Sequence, residues 1–133
     1  MQKRKSGGVK RRPTWRVRTT CCGPHTQWYA VSWFVQQGVE KGLKTLYLER
    51  QGSLPPRTHD LEFLGDVVHV PAEVLRELAV VNPAFDLVRY PGPDSQQAPV
   101  DLVDEGLARQ HLEAAEQVMI WLNQQLNPPS NEA

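Results

Sequence analysis

No acidic residue precedes Glu40, although eight of the 15 basic residues stand within the first 18 positions: Lys3, Arg4, Lys5, Lys10, Arg11, Arg12, Arg16 and Arg18. The body is therefore acidic and the front end basic. Over all 133 residues the 15 basic and 15 acidic side chains cancel, so no molecule-wide field pulls the chain onto DNA or a membrane. Cysteine is scarce too. Cys21 and Cys22 are neighbours in the sequence, which suits neither an ordinary disulfide nor a four-ligand metal site. No apolar run is long enough to span a bilayer. The charged start "MQKRKSGGVKRR" has no apolar segment behind it, so it does not read as an export signal. These absences point to a reduced, cytoplasmic protein with no metal and no cofactor. A Gly-rich phosphate loop is also missing, Gly7-Gly8 being isolated. No segment alternates like a strand, and no internal repeat is present.

What remains is helical. The length suits one domain with one core, divided into a basic, irregular segment over 1–26, a bundle over 27–127 and a disordered tail over 128–133. A long helix is expected from Thr26, as N-cap, to Gly52, as C-terminal stop. Trp28, Val31, Val35, Val39, Leu43 and Leu46 form its apolar stripe, with Gly38 and Gly42 beside them as sites of close backbone approach. Pro55 and Pro56 block continuation, and Thr58 or Asp60 caps a short helix carrying Leu61 and Leu64. Pro71 opens another, with Val74, Leu75, Leu78 and Val81 inward, ended by Asn82 and Pro83. A helical turn in "AFDLVRYPG" leads to a Pro/Gly-rich loop from Tyr90 to Pro99. The last long helix runs from about Asp101 to Leu126, with Ala108, Leu112, Ala115, Met119, Leu122 and Leu126 inward and Ile120 and Trp121 pointing elsewhere. The expected fold is an all-α, up-and-down helical bundle of two long helices plus two or three short ones.

"FVQQGVEKGLKTLYLERQG", "PPRTHDLEFL", "NPAFDLVRYPG" and "LARQHLEAAEQVMIWLNQQL" resemble, in order and spacing, the HEPN domain, over about residues 28–126. The resemblance implies a helical bundle that commonly homodimerises. Many prokaryotic members act with a minimal nucleotidyltransferase as a toxin and antitoxin pair, and others are ribonucleases. One departure concerns the family's first helix, of the type Ala-x-x-Asp-Leu-x-x-Ala, whose place is taken by "RTTCCGPH". One permitted codon set for Val17–Pro24 (GTG CGG ACG ACC TGC TGC GGG CCG), read two nucleotides on, spells Ala-Asp-Asp-Leu-Leu-Arg-Ala. An out-of-frame first helix is therefore expected in this region.

The resemblance also sets a test for catalysis. HEPN ribonucleases carry an Arg, four to six residues, then a His on one helix; the Arg would stabilise phosphate charge and the His would move protons. His59, His69 and His111 have no Arg at that spacing. Arg18 and His25 fit formally, but a Gly-Pro pair lies between them. No catalytic residue is therefore assigned. The expected function is a non-catalytic HEPN protein that homodimerises, acts with a nucleotidyltransferase-type partner and takes a nucleotide or RNA phosphate. The alternative is a metal-independent endoribonuclease with a divergent site, using His59 or His111 with Arg89. Candidate phosphate ligands are Lys41, Lys44, Arg57, His59 and Arg89. For Lys41 and Lys44 the competing reading is a solvated helix face with a Glu40–Lys44 ion pair; for His59 it is helix capping, and for His111 a satisfied core position. Arg89 is also placed to pair with Asp86. Tyr29, Trp33, Tyr47, Ile120 and Trp121 are candidate interface aromatics and aliphatics off the main stripes.

Overall fold

The computed structural model describes residues 27–89 and 103–128. The segment before residue 27, the loop from Tyr90 to Pro99 and the tail after Pro128 lie outside the described residues. Five helices form within them: α1 (Trp28–Gln51), α2 (Leu61–Val67), α3 (Ala72–Val81), α4 (Ala84–Arg89) and α5 (Glu105–Leu126). No strand occurs among the described residues.

Local chemistry sets the boundaries. Gly52 takes a left-handed conformation at φ 66° and returns its N–H to the Leu48 carbonyl, which ends α1. Asp60 caps α2 by accepting from the N–H groups of Glu62 and Phe63. Pro71 is the N-cap of α3, and Asp104 caps α5 by accepting from Leu107 N–H at 2.8 Å. Asn82 does more than close α3. Its Oδ1 accepts from Leu61 N–H and its Nδ2 donates to Asp60 Oδ1, so the end of α3 is tied to the start of α2.

Cross-helix contacts fix the directions. Ser32 meets His111, Gly42 lies against Leu122, and Arg50 reaches Gln125, so the early part of α1 faces the early part of α5. The two long helices therefore run the same way. Asn82 lies beside Leu61, and Leu78 beside Gly65, which makes α3 antiparallel to α2. The core gathers Val39, Leu43 and Leu46 of α1, Leu61 and Leu64 of α2, Leu78 and Val81 of α3, and Ala115, Val118 and Leu122 of α5.

The stripes are rotated from those read in the sequence. On α1, Val39, Leu43 and Leu46 are buried as expected, but the remaining buried positions are Ser32, Gln36 and Glu40; Trp28, Val31 and Val35 are only half-buried. On α5 the buried set is Ala108, His111, Ala114, Ala115, Val118 and Leu122, whereas Met119 is exposed and Leu112 half-buried. In both helices the face turns toward residues that find polar partners across the bundle. Gly42 is a close-approach site, since a Cβ there would stand 2.7 Å from Leu122 Cδ1; Gly38 is not, with nothing within 4 Å.

Glycine packing generates a stability prediction. A Cβ at Gly65 would stand 2.5 Å from Leu78 and 3.1 Å from Val70. Gly65→Ala should lower the unfolding free energy by about 1–3 kcal/mol through overpacking. Gly38→Ala should raise it by up to about 1 kcal/mol, the helix-propensity gain. Urea denaturation compares the two; equal effects would contradict the packing difference.

Candidate functional site

The site grows from three residues one turn apart on α1. Ser32, Gln36 and Glu40 share a face by the 3.6-residue period, and all three are buried. Polar groups survive there only when partnered, and the partners come from distant parts of the chain. The Ser32 hydroxyl and His111 Nδ1 share a 2.8 Å hydrogen bond across the α1–α5 interface. Gln36 Nε2 donates to the His59 carbonyl at 3.2 Å. Glu40 Oε1 accepts from Lys44 Nζ at 2.7 Å, and both carboxylate oxygens lie 3.1 Å from His59 Nδ1. Gln37 Nε2 bridges to Gln36 Oε1 at 2.7 Å and to Glu40 Oε2 at 3.4 Å.

The His59 ring is held from two directions. It stacks on Phe85 of α4, with centroids 4.3 Å apart and planes 15° apart, and Phe85 in turn meets Trp33 at 5.5 Å. An ionised carboxylate can only accept, so Glu40 fixes the proton of a neutral His59 on Nδ1 and leaves the Nε2 lone pair free. The side chain of His59 is 52% exposed while that of Glu40 is 7% exposed. A buried carboxylate thus orients a solvent-reaching imidazole. Such a ring can take up a proton, or donate to an anion once protonated.

Electrostatics follow the geometry. Burial acts to raise the Glu40 pKa, but the hydrogen bonds and charges of Lys44 and His59 outweigh it and hold the carboxyl below its usual range. Burial pushes the His111 imidazole below its usual range, so the ring is held neutral against Ser32.

The phosphate candidates do not all converge. Lys44 and His59 meet on Glu40. Lys41 is exposed, with its carbonyl accepting from Thr45 Oγ1, and Arg57 is exposed two residues before His59. Arg89 closes α4, but its side chain, and hence the Asp86–Arg89 pairing, lies outside the description. Glu40–Lys44 forms as an ion pair, yet its acid end is buried rather than on a wet face. The capping of α2 belongs to Asp60, with Thr58 Oγ1 accepting from Asp60 N–H, and not to the His59 ring.

The interface candidates are dispersed. Trp33 packs on Phe85, Tyr29 is half-buried, and Tyr47 and Trp121 pack against the core, the latter under the Arg50 guanidinium at 5.8 Å. Ile120 is 54% exposed. Residues missed by the sequence reading are Ser32 and Phe85. Ser32 and Gln36 stand one turn apart in register with Glu40, a polar i, i+4, i+8 row that a strictly apolar search passes over. Among the described residues no group of His, Cys, Asp and Glu is placed to hold a metal ion, and no helix is long and apolar enough to cross a membrane.

Among the described residues the chain is an all-helical bundle whose longest helix, α1, buries a Ser/Gln/Glu row, with Glu40 against a histidine from the connection before α2. The family described as HEPN domain matches residues 25–125, and the chain belongs to it. No curated protein and no solved structure matches the chain significantly.

Acid should expose the buried pair. His111 is neutral when folded and binds a proton when unfolded, so its contribution is complete above the unfolded value of about 6.5 and is lost as pH falls toward the lower folded value. Glu40 adds a second loss at more acid pH, below its unfolded value. The unfolding free energy should therefore fall from about pH 6.5 downward, with a slope of up to about 1.4 kcal/mol per pH unit for one proton. In His111→Gln, denaturation followed from pH 7 to 5 should show a flatter slope; an unchanged slope would contradict the assignment.

Proposed function

We propose that the chain is a non-catalytic HEPN module that pairs with a second copy and with a nucleotidyltransferase-type partner, as in a toxin and antitoxin pair, and holds a nucleotide phosphate beside His59. The observation that carries this reading is the Glu40–His59 contact, which orients a half-exposed imidazole by its Nδ1 on the carboxylate that Lys44 also binds. Lys41 and Arg57 stand exposed nearby in sequence and add charge that a phosphate would use. Lys44 is already bound to Glu40, so it serves chiefly to hold the cluster, and the uncommitted cations carry more of the attraction. The non-catalytic part is supported by His111, whose ring is buried and bonded to Ser32, and by Arg109, only two positions before it and over the Trp28 ring.

One observation favours a second reading. A histidine oriented by a carboxylate is the arrangement of a general base, so metal-independent RNA cleavage through His59 with Arg89 is the alternative. His111 drops out of that alternative because its ring is enclosed.

Titration calorimetry with ATP and AMP separates the readings. Lys41→Ala with Arg57→Ala should weaken nucleotide binding by roughly tenfold, about 1.4 kcal/mol, without moving the melting temperature. Unchanged affinity would contradict the phosphate site. RNA cut by wild-type protein in excess chelator, and left intact by His59→Ala, would instead establish the enzyme.

A further inference from the structure

Three histidines lie among the described residues, each in a different setting. His111 is 2% exposed, with its Nδ1 bonded to the Ser32 hydroxyl. His69 is exposed, and its side chain has no partner among the described residues. Of the three, His59 joins access to a charged partner. Its side chain is 52% exposed, its Nδ1 lies 3.1 Å from both oxygens of Glu40, and Phe85 covers one ring face at 4.3 Å. A histidine that served only to neutralise a buried carboxylate would need no solvent, and Lys44 already binds Glu40 Oε1 at 2.7 Å. With the Nδ1 edge on Glu40 and one face on Phe85, the exposed half of the ring is left to its outer face and to the edge that carries Nε2. That nitrogen has no hydrogen-bond partner among the described residues.

We propose that His59 is a phosphoryl-acceptor site, whose Nε2 takes a phosphoryl group from an activated phosphate and holds it as phosphohistidine. The step rests on the proposed placing of a phosphate beside this ring, and adds a covalent bond to it.

The chemistry follows from the tautomer. Nδ1 carries the proton given to Glu40, so Nε2 keeps its lone pair and is the nucleophilic atom. That pair attacks phosphorus and a nitrogen–phosphorus bond forms. The bond from phosphorus to the leaving group breaks, and its electron pair departs with that group. The proton stays on Nδ1, so positive charge develops on the ring. Glu40, kept ionised by Lys44 and His59, faces that charge from inside the fold, where an opposite charge counts for more than in water. Phe85 holds the ring plane while the edge reacts. Lys41 and Arg57, both exposed and close by in sequence, offer charge to the oxygens of the incoming phosphate. The group is transferred once and stays, so no turnover is asked of the chain.

The test treats the full chain with phosphoramidate, a small donor whose leaving group is ammonia and which carries no nucleotide. Peptide mass spectrometry gives the labelling rates at His59 and His69, and phosphorus NMR tells Nε2 from Nδ1 attachment. In the folded protein His59 should be labelled roughly tenfold faster than His69, about what one charge-assisted hydrogen bond contributes in a transition state, and solely at Nε2. In urea, where Glu40 and His59 separate, the two rates should become equal. Glu40→Gln keeps an acceptor for Nδ1 but removes the charge. It should slow His59 by a similar factor, with the product still on Nε2 and His69 unchanged. Equal rates at His59 and His69 in the folded wild type overturn the proposal without any variant having to fold. Attachment at Nδ1 of His59 overturns it as well, as does a folded Glu40→Gln chain labelled as fast as the wild type. Nucleotide titration is a separate readout: affinity without labelling overturns this inference alone, and labelling without affinity overturns the nucleotide reading alone.

Discussion

A carboxylate buried at 7% side-chain exposure cannot stand alone in a helical core. Glu40 stays ionised because Lys44 lies one turn along α1 and His59 arrives from the connection before α2. That demand organises its surroundings. The chain after Gly52 must return to the middle of α1 to deliver His59. Gln36 holds the same loop by its carbonyl, and Phe85 closes over the ring from α4. Asp60, the next residue, then caps α2 and meets Asn82 at the end of α3. One buried charge thus links α1, α2, α3 and α4 through side chains that are adjacent or one turn apart.

The second polar contact serves the other half of the bundle. Ser32 and His111 pin the early turns of α1 and α5 together, while Gly42 lets Leu122 come close further along. Parallel helices require the chain to travel back between them, and α3 with α4 does so. Polar pairs at the start and apolar packing toward the end divide α1 into a part that can carry chemistry and a part that carries stability. The exposed His59 ring belongs to the first part, and its orientation depends on a carboxylate that solvent barely reaches.

Much of the fold was legible from local signals. Gly52, Asp60, Pro71 and the acidic residues before Glu105 mark ends by chemistry that acts within a few residues. Leu61, Leu64, Val74, Leu78 and Val81 are buried as their spacing indicates. The rotation of the α1 and α5 faces was not legible, because it depends on pairs separated by 19 and 79 positions. Nothing local marks Gln36 as a core residue, since burying an amide is favourable only with its acceptor in place. The Glu40–Lys44 pair was readable from its spacing, but its burial was not. Likewise, Gly38 and Gly42 look equivalent in sequence and differ only in what lies across from them.

The dependence of the site on the buried carboxylate is tested most directly by a double-mutant cycle on Glu40→Gln and His59→Ala, read by urea denaturation at pH 7. If Glu40 holds His59 as the geometry requires, the two changes should couple by about 1 kcal/mol or more, within the range for contacting residues. Additive effects, with a coupling near zero, would contradict that claim and leave His59 as a solvent-exposed ring without an anchor.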